Sequence, residues 1–326
     1  MKFALPSSLP SALPLFPKDI VSDNQLQDYF VGQVAAITGA GSGMGRQLAL
    51  NLAKFGCHVA LSDINEDNLK QTQALLTGFS IKSTIKVLDV SDAKAVYAWA
   101  DEIMSEHGKV NFIFNNAGVA LYSSVEGMSL EELEWLMNIN FWGVVYGTKA
   151  FLPLIKNTII ASKASDDKGT KGEHGHIINI SSLFGICAQP SQSAYNASKF
   201  AVRGFTESLR QELDMMSCGI SATCVHPGGI KTNIANNARG NESIQSLGMS
   251  DGERTIKSFN KMLRFDANQA ALVILSAVVT DRRRCLIGSD AKVLDVIQRL
   301  LPTHYQPVVT GITRAMKRRS DRKKRH

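Results

Sequence analysis

The chain has 326 residues, 44% hydrophobic and 20% charged, enough for one large α/β domain or two small ones and ordinary for a globular protein. Its formal charge of +7 suggests nucleic-acid binding until the charge is located: residues 314–326 hold eight of the 36 Lys and Arg and one of the 29 acidic residues. The rest of the chain is balanced, so the basicity belongs to a tail and no nucleic-acid partner is expected of the folded body.

Residues 1–30 are rich in Pro and Ser, with four prolines in the first seventeen residues, and make a poor secretory signal. No run of 18 apolar residues exists to span a bilayer. Cys57, Cys187, Cys218, Cys224 and Cys285 form no C-x-x-C pair and stand beside no His cluster. No metal and no redox dithiol are therefore expected, and the odd count fits a reducing, cytoplasmic setting.

Strand and helix patterns alternate from residue 34 onward. The strand candidates are VAAIT (34–38), HVALSD (58–63), TIKVLD (84–89), VNFIFNN (110–116), HIINIS (176–181), ISATCV (220–225) and RCLIG (284–288). Most are continuous apolar runs, as befits strands covered on both faces. Helical patterns lie between them; one opens on Ser91 and Asp92 and stops at Gly108. The expectation is a single doubly wound α/β domain of Rossmann type with a parallel seven-stranded sheet, over residues 31–300. It would lie between an N-terminal extension (1–30) and a basic tail (301–326). Residues 157–174 read as a mobile surface insertion, and 231–265 as a lid or functional loop.

TGAGSGMG (38–45) joins the first strand to the first helix of the alternation. Gly39 suits the tight turn, Gly43 a close backbone approach to a pyrophosphate, and Gly45 close helix–sheet packing. The helix N-terminus then offers free N–H groups to phosphate. Asp63 ends the second strand, where a carboxylate can accept from both ribose hydroxyls of adenosine and repel a 2′-phosphate. Asp89 closes the third strand in the same manner, before Val90. For each the competing role is capping of the next helix. The fourth strand ends in NNAG (115–118), a stretch too small and polar to be ordinary sheet.

SAYNASKF (193–200) opens a long helical pattern reaching about Met216. Tyr195 and Lys199 share one helix face, and an ammonium beside a phenol of ordinary pKa about 10 lowers it toward use as a general acid/base. Alone, such a pair is most often an exposed helical couple. Ser182 follows the fifth strand at the sheet's carboxyl edge, where open α/β sheets bind ligands. Asn140, in MNINFWG (137–143), sits in a helix passing the same edge. Its amide suits a water-binding or relay role, against a plain surface polar residue.

With these residues in view, the chain resembles the short-chain dehydrogenase/reductase family over roughly residues 31–290. TGAGSGMG is similar to its cofactor loop, NNAG to its signature after the fourth strand, and HPGGIKT (226–232) to its Pro-Gly motif. Asn140, Ser182, Tyr195 and Lys199 are similar to its catalytic tetrad. The resemblance implies hydride transfer between a nicotinamide cofactor and an alcohol or carbonyl substrate, small and apolar given Leu183, Phe184, Ile186 and Cys187. Ser182 would hold the substrate oxygen and Tyr195 move its proton. Lys199 would lower the tyrosine pKa and bind the nicotinamide ribose, and Asn140 would hold a water linking Lys199 to solvent. It also implies cofactor contacts from Gly39, Ser42, Gly43, Met44, Gly45, Asp63, Asp89, Val90, Asn116, Ala117 and Gly118. Further contacts would come from Tyr195, Lys199, Pro227, Gly228, Ile230 and Thr232. Asp63, with Ser42 where a basic residue would favour NADP, makes NAD the expected cofactor. IGSDAKVLD (287–295) departs from the family's Gly-Gly pair near its oligomer contacts. A homodimer through 136–156 and 193–216, or a homotetramer, is expected, and the tail offers a weak route to an anionic membrane surface. The rival class is a nucleotide-binding regulatory protein without catalysis, which an intact tetrad opposes.

Overall fold

Continuous apolar runs have no polar side to present to water, so they assemble where helices cover both faces of a sheet. The computed structural model describes residues 20–165, 173–247, 249, 260, 263–311 and 314. Its strands are β1 (Val34–Thr38), β2 (His58–Asp63), β3 (Ser83–Val87), β4 (Phe112–Asn115), β5 (Leu121–Tyr122), β6 (Gly175–Ile180), β7 (Ile220–Pro227), β8 (Arg239–Gly240) and β9 (Arg284–Ile287). Seven of them form one sheet in the order β3-β2-β1-β4-β6-β7-β9, every pair parallel. This is the Rossmann-type sheet expected. The order reverses between β1 and β4, which opens a crevice at the carboxyl ends of those strands. The short strands β5 and β8 pair apart from it.

The helices are α1 (Asp23–Phe30), α2 (Gly43–Lys54), α3 (Glu66–Leu75), α4 (Ala93–His107), α5 (Leu130–Met137), α6 (Gly143–Ser165), α7 (Ser193–Met216), α8 (Ala267–Val279) and α9 (Ser289–Leu300). Alternate side chains of β1 divide the core. Ala35 and Ile37 pack with Leu48 and Leu52 of α2 and Ile274 of α8, whereas Val34 and Ala36 pack with Trp99 of α4, Phe151 of α6 and Leu213 of α7. Helix α4 is bounded as its sequence suggests. Asp92 caps its N-terminus by accepting from Ala95 N, and Gly108 ends it at φ 75°.

Two expectations are revised. Residues 23–30 belong to the core and not to a surface extension: Ser22 and Gln25 form a capping box, and Leu26 and Phe30 are fully buried. Pro- and Ser-rich composition upstream hid one apolar stripe of two turns. Phe30 packs edge-on against Phe112 of β4, and Phe30→Ala is expected to cost about 3 kcal/mol, read by urea denaturation. Unchanged stability would mean that α1 is not part of the cooperative core. Second, the insertion expected over 157–174 is helical through Ser165, the continuation of α6, with Ile159 buried. Residues 166–172 lie outside the described residues, and Glu173 is held by Lys109 and by Asn111. The described part of 231–265, expected as a lid or functional loop, is anchored to the body. Strand β8 pairs with β5, Asn241 donates to Ser123 Oγ at 2.9 Å, and Ile244 is buried. The tail expected to meet a membrane lies, beyond residue 314, outside the described residues. No helix among those described is long and apolar enough to cross a membrane.

Candidate functional site

The glycine loop is built by close approach. Gly39 has φ 66°, and a side chain there would meet Ala117 Cα at 2.8 Å. A side chain on Gly45 would collide with the Gly39 carbonyl. Ser42, the N-cap of α2, makes no side-chain cap bond. The first-turn N–H groups of α2 therefore stay available at the mouth of a cleft of about 420 Å³, lined by Gly39, Ser42, Gly43, Met44, Asp63, Asp89, Val90, Asn116, Ala117, Gly118 and Thr232. These eleven were singled out from the sequence; nine further lining residues, among them Ile64, Trp135, Ile139, Asn237 and Arg239, were not.

The polar end of β4 resolves into two ties. Asn116 donates its amide to Thr38 O (2.9 Å) and Gly39 O (3.1 Å), and the backbone N–H groups of Asn116 and Ala117 both donate to Thr38 Oγ1 at 3.0 Å. Asn115, buried, donates to Asn179 Oδ1 at 2.8 Å, and Asn179 donates to Thr206 of α7 at 3.0 Å. The NNAG stretch thus clamps the glycine loop to β4 and ties β4 through β6 to α7. Larger side chains would not leave this room.

Asp63 is not the cap of α3; Asn65 is, accepting from Asn68 N. Instead Asp63 Oδ2 accepts from Gly41 N (2.8 Å) and Oδ1 from Asn65 N (2.9 Å), which fixes the carboxylate against the glycine loop with acceptor capacity to spare. Asp89 forms a similar local turn, accepting from Ser91 N and Oγ, while Asp92 caps α4. The cation nearest the loop, Arg46, is occupied by Gly41 O, Thr72 Oγ1 and Asn68 O.

A second pocket, of about 150 Å³ and mostly apolar, opens from the same crevice and shares Met44, Asn116, Gly118 and Thr232 with the cleft. Ser182, Tyr195 and Lys199 line it, along with Pro227, Gly228 and Ile230. All three candidate side chains are buried, at 8%, 8% and 3% exposure. The exposed-couple reading of Tyr195 and Lys199 therefore fails. Lys199 Nζ donates to Ile180 O at 3.0 Å and lies 5.7 Å from the centre of the Tyr195 ring. Burial holds its pKa down to about 8, and burial pushes the Tyr195 phenol up, against a hydrogen bond with Ser182 that lowers it. The expectation that Lys199 depresses the tyrosine is thus outweighed in the protein alone, because desolvation disfavours both charged forms.

Asn140 lies in a π-turn (Asn138–Trp142) between α5 and α6 and is fully buried, not a surface residue. Its Oδ1 accepts from Val119 N at 2.8 Å; its Nδ2 donates to Val119 O at 2.9 Å and Ser198 Oγ at 3.2 Å. The π-turn, which widens the helix by one residue, is what aims this amide at the loop after NNAG. Oδ1 stands close to Gly118, as does Lys199 Nζ.

The sequence reading passed over several residues here. Thr38 and Ser198 lie inside the motifs quoted for other members. His226, beside Pro227, is fully buried with Nδ1 3.0 Å from Ser182 O, so it steadies the backbone of Ser182. Trp135, on the capped helix α5, and Arg239, in the polar stretch after β7, stack at 3.7 Å over the cleft and were not singled out.

Residues 33–243 match the family described as short chain dehydrogenase, and the chain belongs to it. It is 43% identical to the protein SadH of Mycobacterium tuberculosis over 86% of this chain and 95% of that one. It is 29% identical to the human protein named estradiol 17-beta-dehydrogenase 11, over 85% of this chain and 82% of that one. Among solved structures, a short chain dehydrogenase/reductase from Burkholderia phymatum in complex with NAD superimposes with TM-score 0.75 at 27% identity, covering 85% of this chain and 96% of that one.

Proposed function

We propose that this protein interconverts an apolar secondary alcohol and its ketone with NAD(H), with Tyr195 carrying the proton. One observation supports this above the others: Ser182, Tyr195 and Lys199 are buried together in an apolar pocket that runs into the glycine-loop cleft. The open N–H groups of α2, the tight Gly39–Gly45 packing and the fixed Asp63 carboxylate suit a dinucleotide, and the NAD-bound relative points the same way. When bound, the nicotinamide supplies the acceptor or donor of hydride.

The protein's own groups do the rest. In oxidation Ser182 Oγ donates to the substrate oxygen, and the Tyr195 phenolate takes the hydroxyl proton as the carbon loses hydride. In reduction the Tyr195 phenol donates to the oxygen on which charge develops. Lys199, still largely charged at neutral pH with a pKa of about 8, favours the phenolate electrostatically and orients the cofactor ribose. Asn140 positions the Val119 backbone and Ser198, so it keeps the floor of the pocket in register with α7. Pro227, Gly228, Ile230 and Thr232 would face the nicotinamide end, and Asp89 and Val90 the adenine end. The catalytic unit is the single domain from α1 to α9. A homodimer or homotetramer would use the outer faces of α6 and α7, which carry Phe200 at 40% exposure and the adjoining Trp142 at 43%.

The test is oxidation of graded secondary alcohols by the purified protein with NAD+, followed by absorbance of reduced nicotinamide. NAD+ binding without turnover of any alcohol or ketone would leave a nucleotide-binding protein and overturn the reading. The cofactor choice is separately testable. Asp63 is expected to give a strong preference for NAD over NADP, since a fixed carboxylate accepts from the free ribose hydroxyl and repels a phosphate. Asp63→Ala should narrow the gap, chiefly by weakening NAD about tenfold or more. Equal efficiency with both cofactors in the native protein would reduce Asp63 to a loop brace.

A further inference from the structure

A bound dinucleotide brings the two negative charges of its pyrophosphate into a cleft with little positive charge to meet them. Among the described residues that line the cleft, the charged side chains are Asp63, Asp89 and Arg239. Arg46 is spent on Gly41 O, Thr72 Oγ1 and Asn68 O. Lys231 opens on a neighbouring recess with Gly43, Thr232 and Asn233 and does not line the cleft. The N–H groups at the start of α2 contribute only a partial charge, about half a unit for a whole helix end. Arg239 is thus the one full positive charge on the described wall of the cleft, and neither the hydride step nor any motif read from the sequence uses it.

Residues 232–239 run from the glycine loop to α5. Thr232 Cγ2 stands 3.1 Å from where a side chain on Gly43 would begin, and Arg239 Cζ lies 3.7 Å from the centre of the Trp135 ring. The crossing is ordered: Ala235 is fully buried, and Asn237 N donates to Asn233 O at 2.9 Å. Arg239 N then donates to Ala120 O at 3.0 Å as β8 pairs with β5. Two residues on, the Asn241 amide donates to Glu132, whose carboxylate closes the capping box of α5. One anchor therefore fixes both the strand that carries Arg239 and the helix that carries Trp135. Stacked on the indole, the guanidinium has given up rotamer freedom before any ligand arrives. Stacking engages its face and leaves the N–H edge unused, and that edge meets no acceptor among the described residues.

We infer that Arg239 is a cofactor-binding residue: its in-plane N–H groups donate to the pyrophosphate of NAD(H), which the first turn of α2 receives from the glycine-loop side. A planar fork of donors suits phosphate oxygens better than a point charge does. The same pairing holds residues 232–239 over the bound cofactor as a strap. The inference rests on the reading of this cleft as the NAD site, but it needs neither Tyr195 nor turnover of any alcohol.

The experiment measures binding of NAD+ and ADP-ribose by calorimetry, and of adenosine, which lacks the pyrophosphate, by competition against ADP-ribose. Arg239→Met keeps an apolar stem over Trp135 and removes the charged fork. It is expected to weaken NAD+ and ADP-ribose about tenfold and adenosine less than about twofold. Arg239→Lys, which returns a charge without the fork, should recover part of the loss. The side chain is exposed and the pairing of β8 uses only backbone, so both variants should keep the fold, which circular dichroism checks. Were Arg239→Met to misfold, Arg239→Lys with the same three probes gives an independent reading. Equal losses for adenosine and NAD+ would mean that Arg239 acts through the shape of the cleft. Unchanged NAD+ binding would mean that its stack on Trp135 only fastens the strap. Either result overturns the inference and leaves the cofactor reading standing, whereas a native protein that binds neither NAD+ nor ADP-ribose would overturn both.

Discussion

Tyr195→Phe is expected to lower kcat for NAD-linked alcohol oxidation by roughly 10²- to 10⁴-fold with NAD+ affinity little changed. The phenol is 8% exposed and packs edge-on with Phe184, so a phenylalanine ring of the same shape fits without a cavity. What disappears is the one hydroxyl able to exchange a proton with the substrate oxygen beside Ser182. Near-normal turnover by the variant would remove Tyr195 from the mechanism. The pH profile of the native protein provides a second reading. Because burial pushes the phenol above its ordinary value, its phenolate is scarce at neutral pH. Oxidation, which needs the base, should therefore accelerate as pH rises, and reduction, which needs the acid, should not. Lys199 sets a limit on that gain, since with a pKa of about 8 it loses the charge that favours phenolate as the solution becomes alkaline.

How much of this was legible beforehand follows from which signals are local. The seven strands of the main sheet were readable because most of them are short apolar runs, and α7 was readable from Ser193 to Met216 because one face repeats at helical spacing. The glycine loop was readable because Gly39, Gly43 and Gly45 leave little room for another chemistry. Helix α1 was not, since two buried residues, Leu26 and Phe30, give too short a stripe to stand out beside a proline-rich stretch. The role of Asp63 could be posed but not decided: only the structure shows Asn65 taking the cap and Asp63 turning to the loop.

Acid should destabilise the fold well before its carboxylates are protonated. His176 and His226 are 1% and 0% exposed, and burial brings each from 6.5 down to about 3. His176 Nε2 lies 2.7 Å from Thr223 Oγ1, whose own proton goes to Arg282 O, so the neutral ring carries its proton on Nε2. His226 Nδ1, 3.0 Å from Ser182 O, is assigned its proton by the same reasoning. Between pH 6.5 and 3 the unfolded chain therefore binds two protons that the folded protein refuses. Stability is fully present above pH 6.5 and is lost as pH falls through that window. At pH 5 each histidine has lost about 2 kcal/mol, and the pair about 4 kcal/mol, a large share of the 5–15 kcal/mol typical of a domain. His107, lowered to about 4 by burial, adds in the same direction. Asp214 and Asp281, held below 3.8 by arginine partners, give up their contribution only at lower pH, so they do not account for a loss at pH 5. Urea denaturation at pH 7 and pH 5 measures the difference, and His176→Gln should reduce it by about 2 kcal/mol. A free energy of unfolding that is flat across this range would mean that the two imidazoles are charged or solvated in the folded protein. Solvation of His226, unlike its protonation, would also cost the candidate catalytic serine the bond from Nδ1 to its carbonyl oxygen.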